Sequence, residues 1–215
     1  MKTPTIYDIS PLISHRIAVF PGDQSFERKI AMDFTQGDHL ALSSVLTTVH
    51  LGAHTDAPNH YHGQGQAIHE RKLEYYLGRC QVVSVSLPRG ERIGLEHLRG
   101  IEIQAPRVLF KTGSFPDPDQ WNGDFNSFSP ELIDELARKQ VVLVGIDTPS
   151  VDPADSKGLE AHQAIYRNNQ AILEGIVLDQ VPDGIYTLVA LPLKIEGGDA
   201  SPVRAALVSG NMESL

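Results

Sequence analysis

Cysteine, tryptophan and long apolar runs are scarce in this sequence of 215 residues. The single cysteine excludes a framework of disulfides within the chain, and the alternating stretch around it, CQVVSVSL, is typical of a buried strand. No window approaches the ~18 uninterrupted apolar residues that a membrane span needs. The N-terminal MKTPTIYDIS also lacks the basic-then-apolar plan of a signal peptide. We therefore expect a cytoplasmic protein that does not bind membranes.

Positive charge is also in short supply. The chain has 18 lysines and arginines against 27 aspartates and glutamates, a net charge of -9, and its basic residues are scattered singly. Such a chain is repelled by phosphate backbones, so we expect no nucleic-acid partner. The sequence has no internal repeat, low-complexity tract or linker, and its 41% hydrophobic content suffices for one core. We expect one domain that spans residues 1–215.

Short strands dominate the predicted secondary structure. Seven segments rich in β-branched or aliphatic residues, bounded by glycine, proline or aspartate, are predicted strands: 43–49, 80–87, 107–112, 141–146, 174–178, 186–193 and 202–208. One predicted helix, SPELIDELARKQ, begins with Ser129 as N-cap and Pro130 at the first helical position. A second covers 159–173, and residues 113–128 are expected to form a long surface loop. The pattern predicts a layered α/β domain, strand-rich with few helices.

The stretch VHLGAHTDAPNHYH, residues 49–62, places four histidines and one aspartate within fourteen positions. His50, His54, Asp56 and His60 follow the pattern H-x-G-x-H-x-D-x-P-x-H. Neutral imidazoles together with a carboxylate are ligands that Zn²⁺ or Mn²⁺ accepts. The glycine permits dihedral angles that other residues avoid and the proline stiffens the turn, so the segment can converge on one ion. Metal binding is the interpretation that this pattern favours.

Closely spaced ligands rarely complete a metal site, so distant residues should contribute. His162 interrupts the apolar face of the second predicted helix, and Glu174 lies between AIL and GIVL, where a buried charge is costly. The residues alone leave alternatives open. A single histidine on an apolar face is usually a hydrogen-bonded core residue, and Glu174 is also compatible with a helix-end carboxylate that faces solvent.

Several blocks in order along the chain resemble the bacterial kynurenine formamidases, which are metal-dependent cyclase-like hydrolases. They are YDISPLI, VFPGD, HLGAHTDAPNHY, VGIDTPSVDP, SKGLEAHQAI, AILEGIVLD and LPLKIEGGDASPVRA. The resemblance spans nearly the whole length and is more specific than any single motif. It implies the swivelling β/β/α fold and a homodimer or a dimer of dimers.

The resemblance also implies two divalent metal ions per subunit, with zinc preferred and manganese as the alternative. In the family the first two histidines of the motif, here His50 and His54, bind one metal. The aspartate, here Asp56, bridges both ions. The distal helix histidine, here His162, binds the second metal, and the distal glutamate, here Glu174, bridges both.

Two further roles follow from the resemblance. His60 would be a proton donor and acceptor rather than a ligand, and Phe20, before Pro-Gly-Asp, would line the substrate pocket. Phe20 departs from the tryptophan common in the formamidases, which leaves substrate identity more open than reaction type. Leu51 stands where threonine is common and would alter the hydrogen bonding behind the ligands.

The implied reaction is hydrolysis of N-formyl-L-kynurenine to L-kynurenine and formate in tryptophan degradation. Two cations can supply a nucleophilic water and polarise the formyl carbonyl, and His60 can move the proton to the leaving amine. Two alternatives remain. One is a related hydrolase of a cyclic amide such as isatin, or of another small amide or ester. The other is a non-catalytic metal-binding domain, which the retained His60 disfavours.

Other conspicuous residues are given no role. Asp147, in GIDTPSVDP, is compatible with ordinary turn chemistry. Asp199 lies in a glycine-containing loop, where it could pair with a neighbour or face solvent. Trp121 could form a flap over the pocket, contact a partner subunit or merely anchor its loop.

Overall fold

The computed structural model describes residues 4–210. Over that range the chain forms thirteen strands and three α-helices, which confirms the expected strand-rich α/β fold. The strands are β1 (Ile6–Asp8), β2 (Glu27–Met32), β3 (Leu42–Leu46), β4 (His54–Asp56), β5 (Leu77–Ser84), β6 (Arg92–Ile93), β7 (Arg107–Lys111), β8 (Ser127–Phe128), β9 (Leu143–Ile146), β10 (Ala171–Leu173), β11 (Gly184–Val189), β12 (Ala200–Pro202) and β13 (Ala206–Val208). The helices are α1 (Pro58–Tyr61), α2 (Pro130–Arg138) and α3 (Glu160–Arg167).

A seven-stranded sheet in the order β1-β13-β11-β5-β7-β9-β10 forms the centre of the molecule. β5, β7, β9 and β10 are mutually parallel, whereas β11, β13 and β1 extend the sheet by antiparallel pairing. Parallel pairing requires crossover connections. The crossover from β7 to β9 contains α2 and the one from β9 to β10 contains α3, whereas the one from β5 to β7 contains β6 and no α-helix. Among the described residues, no helix is both long enough and apolar enough to cross a bilayer.

The central sheet separates two apolar clusters because successive side chains of a strand point to opposite faces. On β5, Val82 packs with the cluster that contains Cys80, while Val83 packs against the helices. Leu132 and Ile165 represent α2 and α3 in that second cluster. Cys80 is buried, as its strand-like surroundings predicted.

The parallel strands end at the edge of the sheet where polar residues collect. Lys111 ends β7, Asp147 follows β9 and Glu174 follows β10. Open α/β sheets place their ligand sites outside the carboxyl ends of the strands. The small antiparallel sheet of β4 and β12 lies beside this edge, because His54 forms an isolated antiparallel bridge with Glu174.

The first predicted helix is confirmed in detail. α2 begins at Pro130, and the side chain of Ser129 accepts a hydrogen bond from the backbone N–H of Leu132 at 3.2 Å. The predicted strands at 43–49, 80–87, 107–112, 141–146 and 186–193 are also found, with ends shifted by a few residues.

Three predicted segments were wrong in part. The helix predicted for 159–173 ends at Arg167, because Asn169 takes a left-handed φ of 50° and the chain turns into β10. The strand predicted for 174–178 is absent from the described structure, since Gly175 has a φ of 63° directly after the bridge. The strand predicted for 202–208 is divided between β12 and β13. The loop expected at 113–128 is irregular until β8 pairs with β6.

The β2–β3 hairpin stands apart from the central sheet. Within the described range, its two strands pair only with each other. Leu42, Val45 and Leu46 on β3 are all more than half exposed, at 54%, 62% and 56%. A two-stranded hairpin is at best marginally stable alone in water, so this apolar surface lacks the packing that would stabilise it.

Candidate metal centre

Five ligand-type side chains meet beside β4, although they come from distant parts of the chain. They are His50, His54, Asp56, His162 and Glu174, the five that the sequence singled out. His54 Nε2 lies 3.1 Å from Glu174 Oε2, and His50 Nδ1 lies 2.9 Å from Asp56 Oδ1. His162 Nε2 is 3.3 Å from the other oxygen of Asp56. The structure therefore brings residues 50–56 and 162–174 into one cluster.

Two glycines allow this convergence. Gly52 and Gly175 have φ values of 56° and 63°, in the left-handed region that favours glycine. A Cβ on Gly175 would lie 2.0 Å from the carbonyl oxygen of Gly52, so any side chain there would push the two segments apart. Gly175 also donates its N–H to the carbonyl of Thr148 at 2.8 Å. The backbone alone thus positions Glu174 against β4.

The cluster is buried and strongly acidic. Asp56 and Glu174 are only 2% and 1% exposed, and no well-aligned hydrogen bond reaches Asp56 Oδ1. Burial is the largest single influence on His50 and lowers its pKa. The carboxylates of Asp56, Asp199 and Glu174 together outweigh burial and raise the pKa to about 9. Burial likewise opposes protonation of His162, yet hydrogen bonds to Asp152 and Asp56 raise its pKa to about 10. Two buried carboxylates that raise the pKa values of neighbouring imidazoles form a site that favours a bound cation.

The donor atoms fit a divalent metal. Ligand atoms of His50, His54 and Asp56 lie within 4.8 Å of one another, as do those of Asp56, His162 and Glu174. Imidazole nitrogens with carboxylate oxygens suit zinc and manganese. Asp56 belongs to both groups: its Oδ1 faces His50 and His54, and its Oδ2 faces His162. Oδ1 is buried without a hydrogen-bond partner among the described residues, so a cation would meet a free lone pair there.

Groups behind the ligands orient two of the imidazoles. His54 Nδ1 lies 2.9 Å from the carbonyl oxygen of Gly52, which leaves Nε2 facing the carboxylates. His162 Nδ1 lies 2.8 Å from Asp152 Oδ2. Asp152 is fully buried and also accepts from the backbone N–H of His162 and from Arg92. Such outer partners fix the tautomer of a ligand histidine.

His60 sits at the solvent side of the cluster. Its Nε2 is 3.9 Å from Asp56 Oδ2, its ring centroid is 4.2 Å from that of His50, and its side chain is 35% exposed. Burial lowers its pKa, and the nearby carboxylate of Asp56 only partly offsets this. His60 is thus adjacent to the other five residues without being enclosed by them, and the low pKa favours a neutral ring that can accept a proton.

Comparison with known proteins places the chain in a family. The model of the family named Cyclase matches residues 7–153, which is more than half of the 215-residue chain. The chain belongs to the cyclase family. A kynurenine formamidase of Bordetella petrii is 42% identical over 203 residues, which are 94% of this chain and 97% of that protein. The resemblance to kynurenine formamidases that the motifs indicated is confirmed.

Solved structures of other cyclase-like proteins share the fold. A potential metal-dependent hydrolase with cyclase activity superposes with a TM-score of 0.83 at 27% identity, covering 97% of this chain and 99% of that one. Isatin hydrolase A from Ralstonia solanacearum gives a TM-score of 0.80 at 21% identity, covering 96% of this chain and 92% of that one. At that identity the second likeness concerns the fold alone.

In this cyclase-family chain a cavity of about 680 Å³ opens above the cluster. Phe20, Phe115 and Trp121 line one wall, and Phe20 packs edge-on against Trp121 with ring centroids 4.9 Å apart. Phe20 is 37% exposed, so part of its ring is available for contact. An aromatic wall opposite a cluster of metal-ligating side chains suits an aryl substrate with a polar reacting group.

Sequence reasoning missed three residues that the cyclase fold brings to the site. Asp152 orients His162, Asp199 contacts His50 Nε2 at 3.1 Å, and Trp121 forms part of the cavity wall. Asp152 precedes proline in a turn-like sequence, and Asp199 follows two glycines, so each resembled an ordinary loop residue. Only the pairing of β12 with β4, in which Ala200 lies opposite Asp56, brings Asp199 to the cluster.

Asp147 occupies a structural position near the cavity. Its carboxylate accepts hydrogen bonds from the backbone N–H groups of Thr112 and Gly113 at 2.9 and 2.8 Å. Burial raises its pKa in spite of these donors. The carboxylate therefore ties the end of β9 to the start of the 113–128 loop, which is local structural chemistry of the kind its sequence suggested.

Proposed function

We propose that this cyclase-family protein is a metal-dependent arylformamidase that hydrolyses N-formyl-L-kynurenine to L-kynurenine and formate. The observation that carries the proposal is the convergence of five metal-ligating side chains beside an unenclosed histidine, at the base of an aromatic-walled cavity. The 42% identity to a kynurenine formamidase over 94% of the chain supports the choice of substrate. The reaction would belong to the kynurenine route of tryptophan degradation.

Two divalent ions per subunit fit two of the three groups of ligand-type residues within the described range, the two that share Asp56. The third group is His50, His60 and Asp199. His50, His54 and Asp56 would hold one ion, His162 the other, and Asp56 and Glu174 both. When bound, the ions would supply an activated water nucleophile and polarise the formyl carbonyl. Zinc is our first choice and manganese the alternative, because imidazole and carboxylate donors accept either.

The chain's own residues would handle the proton. His60 Nε2 faces the cluster at 3.9 Å from Asp56 Oδ2 and is open to the cavity. We place His60 as the group that takes a proton from the attacking water and returns it to the departing aryl nitrogen. An imidazole with a pKa near or below 6.5 can do both near neutral pH.

The aromatic wall would bind the aryl ring of the substrate. Phe20 and Trp121 meet edge to face, which leaves the exposed part of the Phe20 ring free to stack. Their placement opposite the cluster would direct a formamido group towards His60.

A comparison of substrates tests the proposal. Purified protein is assayed for metal content and for hydrolysis of N-formyl-L-kynurenine and of isatin, before and after chelation. We expect chelator-sensitive turnover of the formamide in preference to isatin. Preference for isatin would favour a cyclic-amide hydrolase, and retained metal with no turnover of either would favour a non-catalytic metal-binding domain.

A homodimer, alone or paired into a dimer of dimers, is the assembly that we propose. Its support is the β2–β3 hairpin, which exposes Ile30, Leu42 and Leu46 at 48%, 54% and 56%. A second copy of the chain seated on this surface would bury the apolar side chains and stabilise the hairpin.

We propose the cytoplasm as the location, in line with the acidic composition and the single cysteine.

A further inference from the structure

Asp199 is held beside the candidate metal centre by the backbone. Its carbonyl oxygen accepts a hydrogen bond from the N–H of Ala57 at 2.8 Å. The next residue, Ala200, begins β12 and lies opposite Asp56 in the antiparallel pair with β4. The Cα of Asp199 is therefore fixed relative to the histidine-rich segment, while its side chain, 50% exposed, can still adjust.

One oxygen of Asp199 faces two imidazoles. Oδ2 lies 3.1 Å from His50 Nε2 and 3.7 Å from His60 Nδ1. The latter distance is longer than a direct hydrogen bond, but bonds of this kind are often long in a free enzyme and shorten when substrate binds. A half-exposed side chain has the freedom to close the gap.

Each ring nitrogen of His60 thus faces a different carboxylate. Nδ1 faces Asp199, and Nε2 faces Asp56 Oδ2 at 3.9 Å, on the side of the ligand cluster. The other groups around the ring are the imidazoles of His50 and His162 and the ring of Tyr61, with centroids at 4.2, 6.1 and 6.3 Å. Asp199 is the carboxylate that faces Nδ1 of His60, and the same oxygen also contacts His50.

We infer that Asp199 is a positioning residue that accepts the Nδ1–H of His60 and so keeps Nε2 as the atom that carries the proton. The inference rests on the proposed function, since it assigns a partner to the proposed proton carrier. A carboxylate behind a histidine fixes the tautomer, fixes the ring and stabilises the imidazolium when it forms, as in hydrolases with an Asp–His pair. In this role Asp199 influences the reaction through His60.

The proton balance is complete with the groups named. Water adds to the formyl carbon, and one of its protons moves to His60 Nε2, whose positive charge then lies between Asp199 and Asp56. The carbon–nitrogen bond breaks as the same proton passes from Nε2 to the aryl nitrogen. Formic acid and the neutral arylamine leave, the acid gives its remaining proton to solvent and becomes formate, and His60 returns to the neutral Nδ1–H tautomer.

The test compares Asp199→Asn with Glu196→Gln, a control that removes the same charge from an exposed position in the same loop. Both are examined as metal-loaded protein with N-formyl-L-kynurenine. We expect Asp199→Asn to lower kcat by about 10- to 100-fold, as for loss of an outer partner of a functional histidine. Because Asp199 also contacts His50 Nε2 at 3.1 Å, the assays are run at saturating metal. Under that condition KM should stay near the wild-type value, and Glu196→Gln should behave as wild type.

A second experiment compares kcat for substrates that differ in their leaving group. With formyl esters of acidic phenols, whose leaving groups need no proton, Asp199→Asn should lose less kcat than with formyl anilides, because only the attack of water still uses His60. With formyl anilides the deficit should grow as the leaving amine becomes more basic. A purely structural defect would lower kcat equally for both substrate classes.

The wild-type protein supplies a third readout that needs no variant at Asp199. Nitrogen NMR of histidine-labelled protein, with His60→Gln used for assignment, should show the neutral His60 ring protonated at Nδ1. Protonation at Nε2, or an unchanged kcat of metal-saturated Asp199→Asn, would each overturn the inference. Wild-type protein that does not hydrolyse the formamide would instead contradict the proposed function.

Discussion

His54 and Glu174 are joined by two backbone hydrogen bonds. The N–H of His54 donates to the carbonyl of Glu174 at 3.1 Å, and the N–H of Glu174 donates to the carbonyl of His54 at 2.9 Å. This bridge sets His54 Nε2 3.1 Å from Glu174 Oε2. Main-chain pairing therefore holds the two segments in register. The backbone, rather than a contact between the two side chains, sets the positions of the His54 imidazole and the Glu174 carboxylate.

Metal stoichiometry should report how the ligands are divided. Asp56 belongs to both ligand groups, whereas His162 belongs to one. His162→Gln should lower the metal content from about two ions per chain to about one. Asp56→Asn should lower the metal content further, because both ions lose a charged ligand. Elemental analysis of the purified proteins measures this. Equal losses in the two variants would contradict the shared role of Asp56.

Gly175→Ala should disrupt both the fold and the site. The new Cβ would lie 2.0 Å from the carbonyl oxygen of Gly52, at a φ of 63°. Gly197→Ala is a matched control, since Gly197 has a φ of 70° with open space around it. The control should lower the free energy of unfolding by about 1 kcal/mol, the cost of a left-handed residue with a side chain.

Denaturant titration of metal-free protein compares the two variants. Gly175→Ala should lose clearly more stability than Gly197→Ala, and it alone should lose metal affinity. The same loss of stability in both would mean that the chain relaxes around the clash and that the close approach is not essential.

Asp152→Asn should weaken metal binding by about 10- to 100-fold, the usual effect of removing a partner of a ligand histidine. Asp152 holds His162 Nδ1 at 2.8 Å and is fully buried. Glu160→Gln is the control, because Glu160 is the other, exposed partner of Arg92. Competition with a chelator of known affinity measures the change, on protein first shown to be folded by circular dichroism. An affinity equal to that of the control would rule out the orienting role.

Phe20→Ala should raise KM for N-formyl-L-kynurenine by about 2- to 10-fold, which corresponds to the loss of one aromatic contact. Phe20 packs edge-on against Trp121 on the cavity wall. Steady-state kinetics with an aliphatic formamide provide the comparison, since that substrate gains nothing from the ring. An unchanged KM for the aryl substrate would place its binding elsewhere in the cavity.

The exposed hairpin should control assembly. Leu42 and Leu46 lie two pleats apart on one face of β3, so Leu42→Lys with Leu46→Lys places two charges on that face. We expect this double variant to be monomeric in light scattering at a concentration where the wild type is dimeric. Leu95→Lys, at a residue 45% exposed outside the hairpin, should leave the mass unchanged. A dimeric double variant would place the interface on another surface.

Local sequence patterns predicted much of this molecule. Ser129 and Pro130 fixed the start of α2, because capping chemistry depends on adjacent residues alone. The spacing of His50, His54 and Asp56 was equally local, since side chains two and four positions apart on a shaped segment can reach one point. These features needed no knowledge of the rest of the chain.

Features that depend on tertiary pairing could not be predicted in this way. The segment AIL at Ala171–Leu173 continues a helical pattern in sequence, yet it pairs in parallel with β9. Glu174 could not be distinguished from a solvent-facing carboxylate until its backbone bridge to His54 was known. Asp199 carried no local signal at all, because only the register of β12 against β4 places it near His60.

The pairing of β12 with β4 has a consequence for biosynthesis. Pro202 lies opposite His54, so the backbone around the histidines gains this pairing partner only after a strand far along the chain has been synthesised. His50, His54 and Asp56 are translated well before His162 and Glu174. The five side chains can therefore bind cations together only after Glu174 has left the ribosome.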